Sequence, residues 1–427
     1  MSAFIVLGLL VFMALSIPVA VSIGLSGVLS LTLFTDMPVA VVAQRLFTSM
    51  DNGPLLAIPL FILAGNLMEK GGVSRRLVDF TKSIVGGTQG GLAITCVLTC
   101  LIFAAISGSG VATTFAIGSI LIPAMVKQGY PVAKASALQA TAAELGVIIP
   151  PSIPLILFAV STQVSVGELF IAGVIPGLLI AISLVVYVWV WCRMTGHGKN
   201  DRDESLSFGA AARSASLALL MPVVILGGIY GGIFTPTEAS AVACTYAFIL
   251  GMFVYREMSF SALVDVLKRS AVTTAAIMLI IAFSGLFAYL LTRSGAAAAI
   301  AAYVTELVTS PLMFLLAVNI LLFLVGMFVD GAAAIIVLAP ILTPIAAGYG
   351  IDPVHFGVVM VINLAVGMIT PPFGVNLFAA CMISGISFEK IVRPLVPFVL
   401  VVMACLGLVT YFPELSLWLR DVVYPRG

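Results

Sequence analysis

Residues 146–152 read Gly-Val-Ile-Ile-Pro-Pro-Ser, and residues 367–374 read Gly-Met-Ile-Thr-Pro-Pro-Phe-Gly. Each lies inside an apolar run, 133–163 and 353–384, long enough to cross a hydrocarbon core of about 30 Å. A Pro pair removes two N–H donors and sets two rings against the preceding turn, so a helix stops there. The plain reading is a kink; two prolines beside a glycine argue for a truly unwound stretch at mid-membrane depth. Unpaired backbone groups cannot face lipid, so such a stretch belongs in protein or beside a water-filled cavity.

The two stretches are copies. A gapless shift of 221 residues carries Gly146 onto Gly367 and Pro150-Pro151 onto Pro371-Pro372. It also carries Gly110 onto Gly331, Pro123 onto Pro344, Gly129 onto Gly350, Glu168 onto Glu389 and Pro176 onto Pro397. An ordered series of this kind marks a structural repeat. Upstream of each break lies an apolar run, 91–126 or 311–347, too long for one span and short for two. Their middles are polar and Gly-bearing, Ser107-Gly-Ser-Gly110 and Asp330-Gly331. That predicts two re-entrant helical hairpins, each with its non-helical tip shielded inside the membrane.

The segments 54–69, 168–195, 214–234, 236–255, 271–292 and 395–419 read as helices, and 3–34 as two short ones broken at Pro18. Two amphipathic stretches, about 73–86 and 295–308, read as helices lying along the membrane surface. Thr235-Pro-Thr-Glu238 and Ser165-Val-Gly-Glu168 are capping boxes, and Asp352-Pro353 a helix start, so these acids are assigned structural roles.

Of 427 residues, 62% are hydrophobic and 9% charged, against roughly a quarter charged in a soluble domain. With a net charge of +1, this excludes a soluble enzyme, a disordered chain and a nucleic-acid binder. The alternating strands of about ten residues that build a transmembrane barrel are absent. The expected fold is an all-α polytopic membrane protein with an inverted repeat. No H-E-x-x-H, G-x-S-x-G or P-loop occurs, and the cysteines form no C-x-x-C pair, so no enzyme is expected.

Counting each apolar segment as one crossing and each hairpin as none, the two hairpins open on opposite sides. Of the 19 Lys and Arg, all but Arg45, Arg293, Arg420 and Arg426 fall on the side where the first hairpin opens. That side is then the cytoplasm, and both chain termini lie opposite it.

Packed about a pseudo-two-fold axis, the two tips and two breaks converge. Ser107, Ser109 and the carbonyls near Gly146 and Pro150 are expected to hold one Na⁺; Asp330, Gly331, Gly367 and Thr370 a second. Oxygen ligands suit such a hard cation; the alternative is helix capping and close packing. Asp330 has three open roles: Na⁺ ligand, proton carrier or helix cap; Glu144 is a weaker candidate of the same kind. Thr113, Thr114, Ser152 and Asn376 are expected to hydrogen-bond a substrate. No Lys or Arg falls in the predicted cavity, so an anion would be met by bound Na⁺ and by the N-termini of half-helices.

At these residues the chain resembles the large membrane subunit of tripartite ATP-independent periplasmic (TRAP) transporters. The resemblance rests on 57–66, 107–113, 146–152, 232–239, 350–357 and the run Thr370-Pro-Pro-Phe-Gly-Val-Asn376, and covers essentially the whole chain. It implies a Na⁺-driven importer of organic acids in a bacterial inner membrane, with two or more Na⁺ co-transported. It implies an elevator mechanism, with 91–163 and 311–384 as the transport core. The stretches 1–90 and 164–310 would be scaffold and surface arms, and 385–427 a C-terminal scaffold helix. It implies two partners on separate polypeptides: a small four-helix membrane subunit and a soluble periplasmic substrate-binding protein. The 370–378 run looks like the sialic-acid branch, so sialic acid is the expected cargo and a C4-dicarboxylate the alternative. Dicarboxylate members often carry Glu two residues before the second-half Gly; here that position is Ala365. Two rival readings fit inverted hairpins as well: a self-sufficient carrier or exchanger, and a channel with re-entrant pore loops.

Overall fold

The computed structural model describes residues 1–198, 207–295, 302–303, 306, 308 and 310–425. The predicted surface stretch 295–308 lies mostly outside the described residues, as do Lys199, Arg202 and Arg426. Among the described residues the regular structure is all helical. Nine helices there are long and apolar enough to cross a membrane, or ten with one bent pair counted as a span.

Helices α1 (Ser2–Ala14) and α2 (Val19–Phe34) part at Pro18 as the sequence predicts. Helix α3 (Ala40–Met50) meets a 3₁₀ turn and α4 (Ala57–Lys70) at a bend of 71°. Helix α3 is not legible in the sequence, because Gln44, Arg45 and Thr48 interrupt its apolar pattern. Helix α5 (Val73–Val85) is the expected amphipathic arm, burying Val73, Leu77 and Val78.

Helices α6 (Gly91–Ser107) and α7 (Gly110–Lys127) form the first hairpin. Gly108, at φ +62°, ends α6 in the left-handed region, where glycine has no Cβ penalty. Ser109 caps α7 by accepting from the Ala112 N–H. The two ends close at one place: the Gly90 N–H donates to the Gly198 carbonyl, and Tyr130, just past α7, packs on Trp191 and His197.

The first broken helix comprises α8 (Val132–Ala143), one turn α9 (Leu145–Ile148), and α10 (Ile153–Thr162) beyond the Pro pair. Next come α11 (Val166–Thr195), α12 (Phe208–Tyr230), α13 (Pro236–Ile249) and α14 (Phe260–Arg293). The Thr235–Glu238 capping box at the start of α13 is present in full.

The second hairpin is α15 (Pro311–Phe328) and α16 (Gly331–Gly348), the latter capped by Asp330. It closes where the Tyr349 hydroxyl donates to the Val308 carbonyl and its ring stacks on Phe314. The second broken helix is α17 (Pro353–Met368) and α18 (Val375–Ser384), followed by α19 (Phe388–Tyr411) and α20 (Glu414–Val423). The predicted segment 395–419 is therefore two helices, divided at Phe412-Pro413.

Helix α11 relates the two hairpins. Its 30 residues span about 45 Å. Near its C-terminal end, the Cys192 carbonyl accepts from Gln89 at the base of the first hairpin. Near its N-terminal end, Gly167 lies against Tyr424, just past α20. Arg420 of α20 pairs at 2.7 Å with Asp352, which caps α17 directly after the second hairpin. The two bases therefore stand at opposite ends of α11, the arrangement an inverted repeat requires.

Packing groups the helices in two bodies. One is α1–α4 with α12–α14; the other holds both hairpins and both broken helices. Helix α11 packs on α6, α17 and α19, and α19 also packs on α8. Both thus lie against the hairpins and the broken helices. The physical reason is that α6, α8 and α17 present apolar flanks that need cover. Leu169, Phe170 and Ile180 of α11 and Leu395 and Phe398 of α19 are buried in supplying it.

Candidate transport site

At the first tip the backbone of α6–α7 is pressed onto the first break. A Cβ on Gly108 would stand 2.8 Å from the Pro151 carbonyl oxygen, and the Ile153 N–H donates to the Gly108 carbonyl. A Cβ on Gly146 would stand 2.7 Å from the Ser109 carbonyl oxygen and 2.8 Å from Thr113 Oγ1. Ser107 Oγ lies 2.9 Å from Thr113 Oγ1, which donates to the Ser109 carbonyl at 2.8 Å. Ser107, Ser109, Thr113 and Gly146 therefore meet at one oxygen-rich junction. Pro150 lies apart, lining an apolar cleft with Leu101 and Ala105.

The second tip repeats the arrangement in a more apolar form. A Cβ on Gly367 would fall 2.5 Å from the backbone of Gly326, so α15 and α17 touch backbone to backbone. Gly331 faces Met368 and Leu364, and the Phe373 N–H donates to the Met327 carbonyl. Asp330 Oδ1 accepts from the Ala332 N–H at 3.0 Å, so the helix-cap role is present. Thr370 Oγ1 donates back to the Val366 carbonyl at 2.7 Å.

Both tips open onto one cavity of about 570 Å³. Gly108, Ser109 and Gly110 line one side, Asp330 and Gly331 another. Pro18 to Val21 of α2, with Thr273, Ile277 and Ile280 of α14, form the wall opposite. That wall was not legible in the sequence, since its apolar residues look like any lipid-facing face. Four helix N-termini reach the cavity, those of α2, α7, α10 and α16, each a positive dipole end. Among the described residues no basic side chain lines it, and Asp330 is the sole ionisable one that does.

The four residues expected to touch substrate stand elsewhere. Thr113, Thr114, Ser152 and Asn376 are fully buried and do not line the cavity. Thr114 Oγ1 donates to the Gly110 carbonyl. Ser152 caps α10 through the Leu155 N–H and donates to the Val147 carbonyl. Asn376 donates to Glu144 Oε1. Local hydrogen bonding, the ordinary use of short polar side chains near helix ends, occupies Thr113, Thr114 and Ser152, whereas Asn376 reaches across to the other repeat.

A cavity lined by two hairpin tips, the ends of two helix breaks and a wall from α2 and α14 has room for a small solute. The comparisons point to transport. The sequence profile of the tripartite ATP-independent periplasmic transporter, DctM component, matches residues 6–415. The C4-dicarboxylate TRAP transporter large permease protein DctM of Pseudomonas aeruginosa is 46% identical over 400 residues, 94% of each chain. The sialic acid TRAP transporter large permease protein SiaM of Vibrio cholerae is 35% identical over 410 residues, 96% of each chain. The crystal structure of the YdaH transporter of Alcanivorax borkumensis, titled as revealing an unusual topology, matches in fold with a TM-score of 0.60. It does so at 15% identity, over 87% of this chain and 89% of that one. The chain belongs to the large permease subunits of the TRAP transporters, multi-pass membrane proteins of transport rather than catalysis.

Proposed function

We propose that this chain carries a small organic dianion, a C4-dicarboxylate, into the cell together with Na⁺, by an elevator motion in a bacterial inner membrane. The observation that carries the reading is the shared cavity: two hairpin tips and four helix N-termini face it, and among the described residues no basic side chain does. An anion entering it needs positive charge from helix ends and from bound cations. The oxygen-rich junction at Ser107, Ser109, Thr113 and Gly146 is the better of the two Na⁺ candidates. The junction at Asp330, Gly331, Gly367 and Thr370 is the second. In this reading the hairpins are re-entrant, the first from the cytoplasm and the second from the periplasm, with both termini periplasmic. The body holding them slides against α1–α4 and α12–α14.

The expectation of sialic acid yields here to the dicarboxylate, because the relative named for C4-dicarboxylate is 46% identical and the one named for sialic acid 35%. Family membership further supports a small membrane subunit and a periplasmic binding protein as partners.

The test is uptake into proteoliposomes holding this chain and its small subunit. Saturable succinate uptake that needs both an inward Na⁺ gradient and the binding protein is expected. Substrate affinity should also tighten when Na⁺ replaces K⁺ at fixed ionic strength. Uptake without the binding protein would point to a self-sufficient carrier, non-saturating flux to a channel, and equal affinity in both salts against Na⁺ coupling.

A further inference from the structure

Glu144 stands just before the first break, and Asn376 begins the half-helix after the second. Their side chains meet across the repeat, Asn376 Nδ2 donating to Glu144 Oε1. The two residues are 2% and 0% exposed. The repeat does not call for this pair: the 221-residue shift puts Ala365 in the place of Glu144, and Leu155 in that of Asn376. A polar pair has been added at one of two equivalent positions, within the membrane, where an ionisable residue is by default functional.

The pair is also incomplete. Glu144 Oε2 and Asn376 Oδ1 are both buried and both lack a hydrogen-bond partner. Among the described residues no ion pair includes Glu144. Gly110 lies against the Asn376 amide and the Glu144 carboxylate. A Cβ on it would stand 2.6 Å from Asn376 Nδ2, 3.3 Å from the Ala143 carbonyl oxygen and 3.5 Å from Glu144 Oε2. A carboxylate with a bare oxygen, a bare amide oxygen and a nearby carbonyl make a set of hard donors carrying one negative charge. Buried acceptors without a partner are costly, and a buried charge is tolerated only when compensated.

We propose that Glu144 and Asn376 form a third Na⁺ site, behind the first hairpin tip and apart from the two tip–break junctions. Residues two apart on a helix do not face each other. Glu144 accordingly turns to Gly110 and Asn376, while Gly146 turns to Ser109 and Thr113. The site joins α8 of the first repeat to α18 of the second, so a cation held there fastens the second break to the first tip. The proposal rests on the Na⁺-coupled reading above and adds to it a cation held by a carboxylate that only one repeat possesses.

The test is Na⁺-dependent thermal stabilisation of the purified full chain with its small subunit, NaCl replacing KCl at fixed ionic strength. The wild type should be stabilised by Na⁺. Glu144→Gln keeps an acceptor for Asn376 but loses the charge. It should need about tenfold more Na⁺ for half the effect, and its transport should show a shallower Na⁺ dependence, a tenfold change in affinity being about 1.4 kcal/mol. Should that variant fail to fold, Asn376→Asp decides: a second carboxylate should make stability more dependent on Na⁺. A wild type indifferent to Na⁺ would overturn the Na⁺-coupled reading and this site together. A responsive wild type matched by both variants would overturn this site alone. So would a Glu144→Gln protein altered only in its pH dependence, which would make Glu144 a proton carrier.

Discussion

Gly367 has no room for a side chain. A methyl group there would fall 2.5 Å from the Gly326 backbone, and backbone cannot step aside as a flexible side chain can. Gly367→Ala should therefore part α15 from α17, lowering stability by about 3 kcal/mol, the upper part of the overpacking range, and abolishing transport. Gly407→Ala is the control: nothing lies within 4 Å of its added Cβ, and replacing a helical glycine should add about 0.5–1 kcal/mol. Thermal unfolding of the two variants checks both signs. At the base of the second hairpin, Asp352 Oδ1 caps α17 while Oδ2 takes the buried Arg420 guanidinium at 2.7 Å. Arg420→Met breaks this ion pair at a buried guanidinium and should cost about 3 kcal/mol. Asp421→Asn removes an exposed partner of the same arginine and should cost under about 1 kcal/mol.

The elements carry the topology. The two ends of the first hairpin meet the C-terminal end of α11, at Gly198 and Trp191, the second hairpin closes between Tyr349 and Val308, and these two bases lie toward opposite ends of α11. Lys127 and Gly348, near the two bases, are exposed, and none of the six native cysteines is. With a membrane-impermeant thiol reagent, Lys127→Cys should label only in inside-out vesicles and Gly348→Cys only in right-side-out ones. Labelling of both from the same side would refute the inverted arrangement. Tyr349→Phe removes the hydrogen bond that closes the second hairpin and should cost about 1 kcal/mol. It leaves the stacking on Phe314 in place, so the fold should survive.

At the scale of the whole molecule, two bodies meet at the cavity, and the elevator reading requires that they slide. Helix α4 of one body touches the first tip of the other. A Cβ on Gly65 would stand 3.7 Å from Ser107 Cβ, within the Cβ–Cβ range of a disulfide, about 3.5–4.5 Å. The double variant Gly65→Cys with Ser107→Cys, oxidised, should stop transport, and reduction should restore it to the level of the slower single variant. Ser107 belongs to a proposed Na⁺ junction, so the single variants set the baseline. Transport that continues with the tip tethered to α4 would rule out sliding at this contact.

What the sequence by itself determined is the local chemistry of the chain. Two prolines beside a glycine have to end a helix, small polar residues flanked by glycine have to turn one, and runs of apolar residues have to leave water. From these came the breaks, the hairpins, the repeat and the family. What only the tertiary structure decided is which surfaces meet. The apolar wall of α2 and α14, and the contacts of α11 and α19 with the hairpins and broken helices, depend on faces that share one composition whether they touch lipid or protein. Thr113, Thr114, Ser152 and Asn376 read as substrate ligands because short polar side chains near a break suit that role. In the structure their side chains meet carbonyls and Glu144, since inside a membrane a hydroxyl or amide takes the nearest partner the packed protein offers.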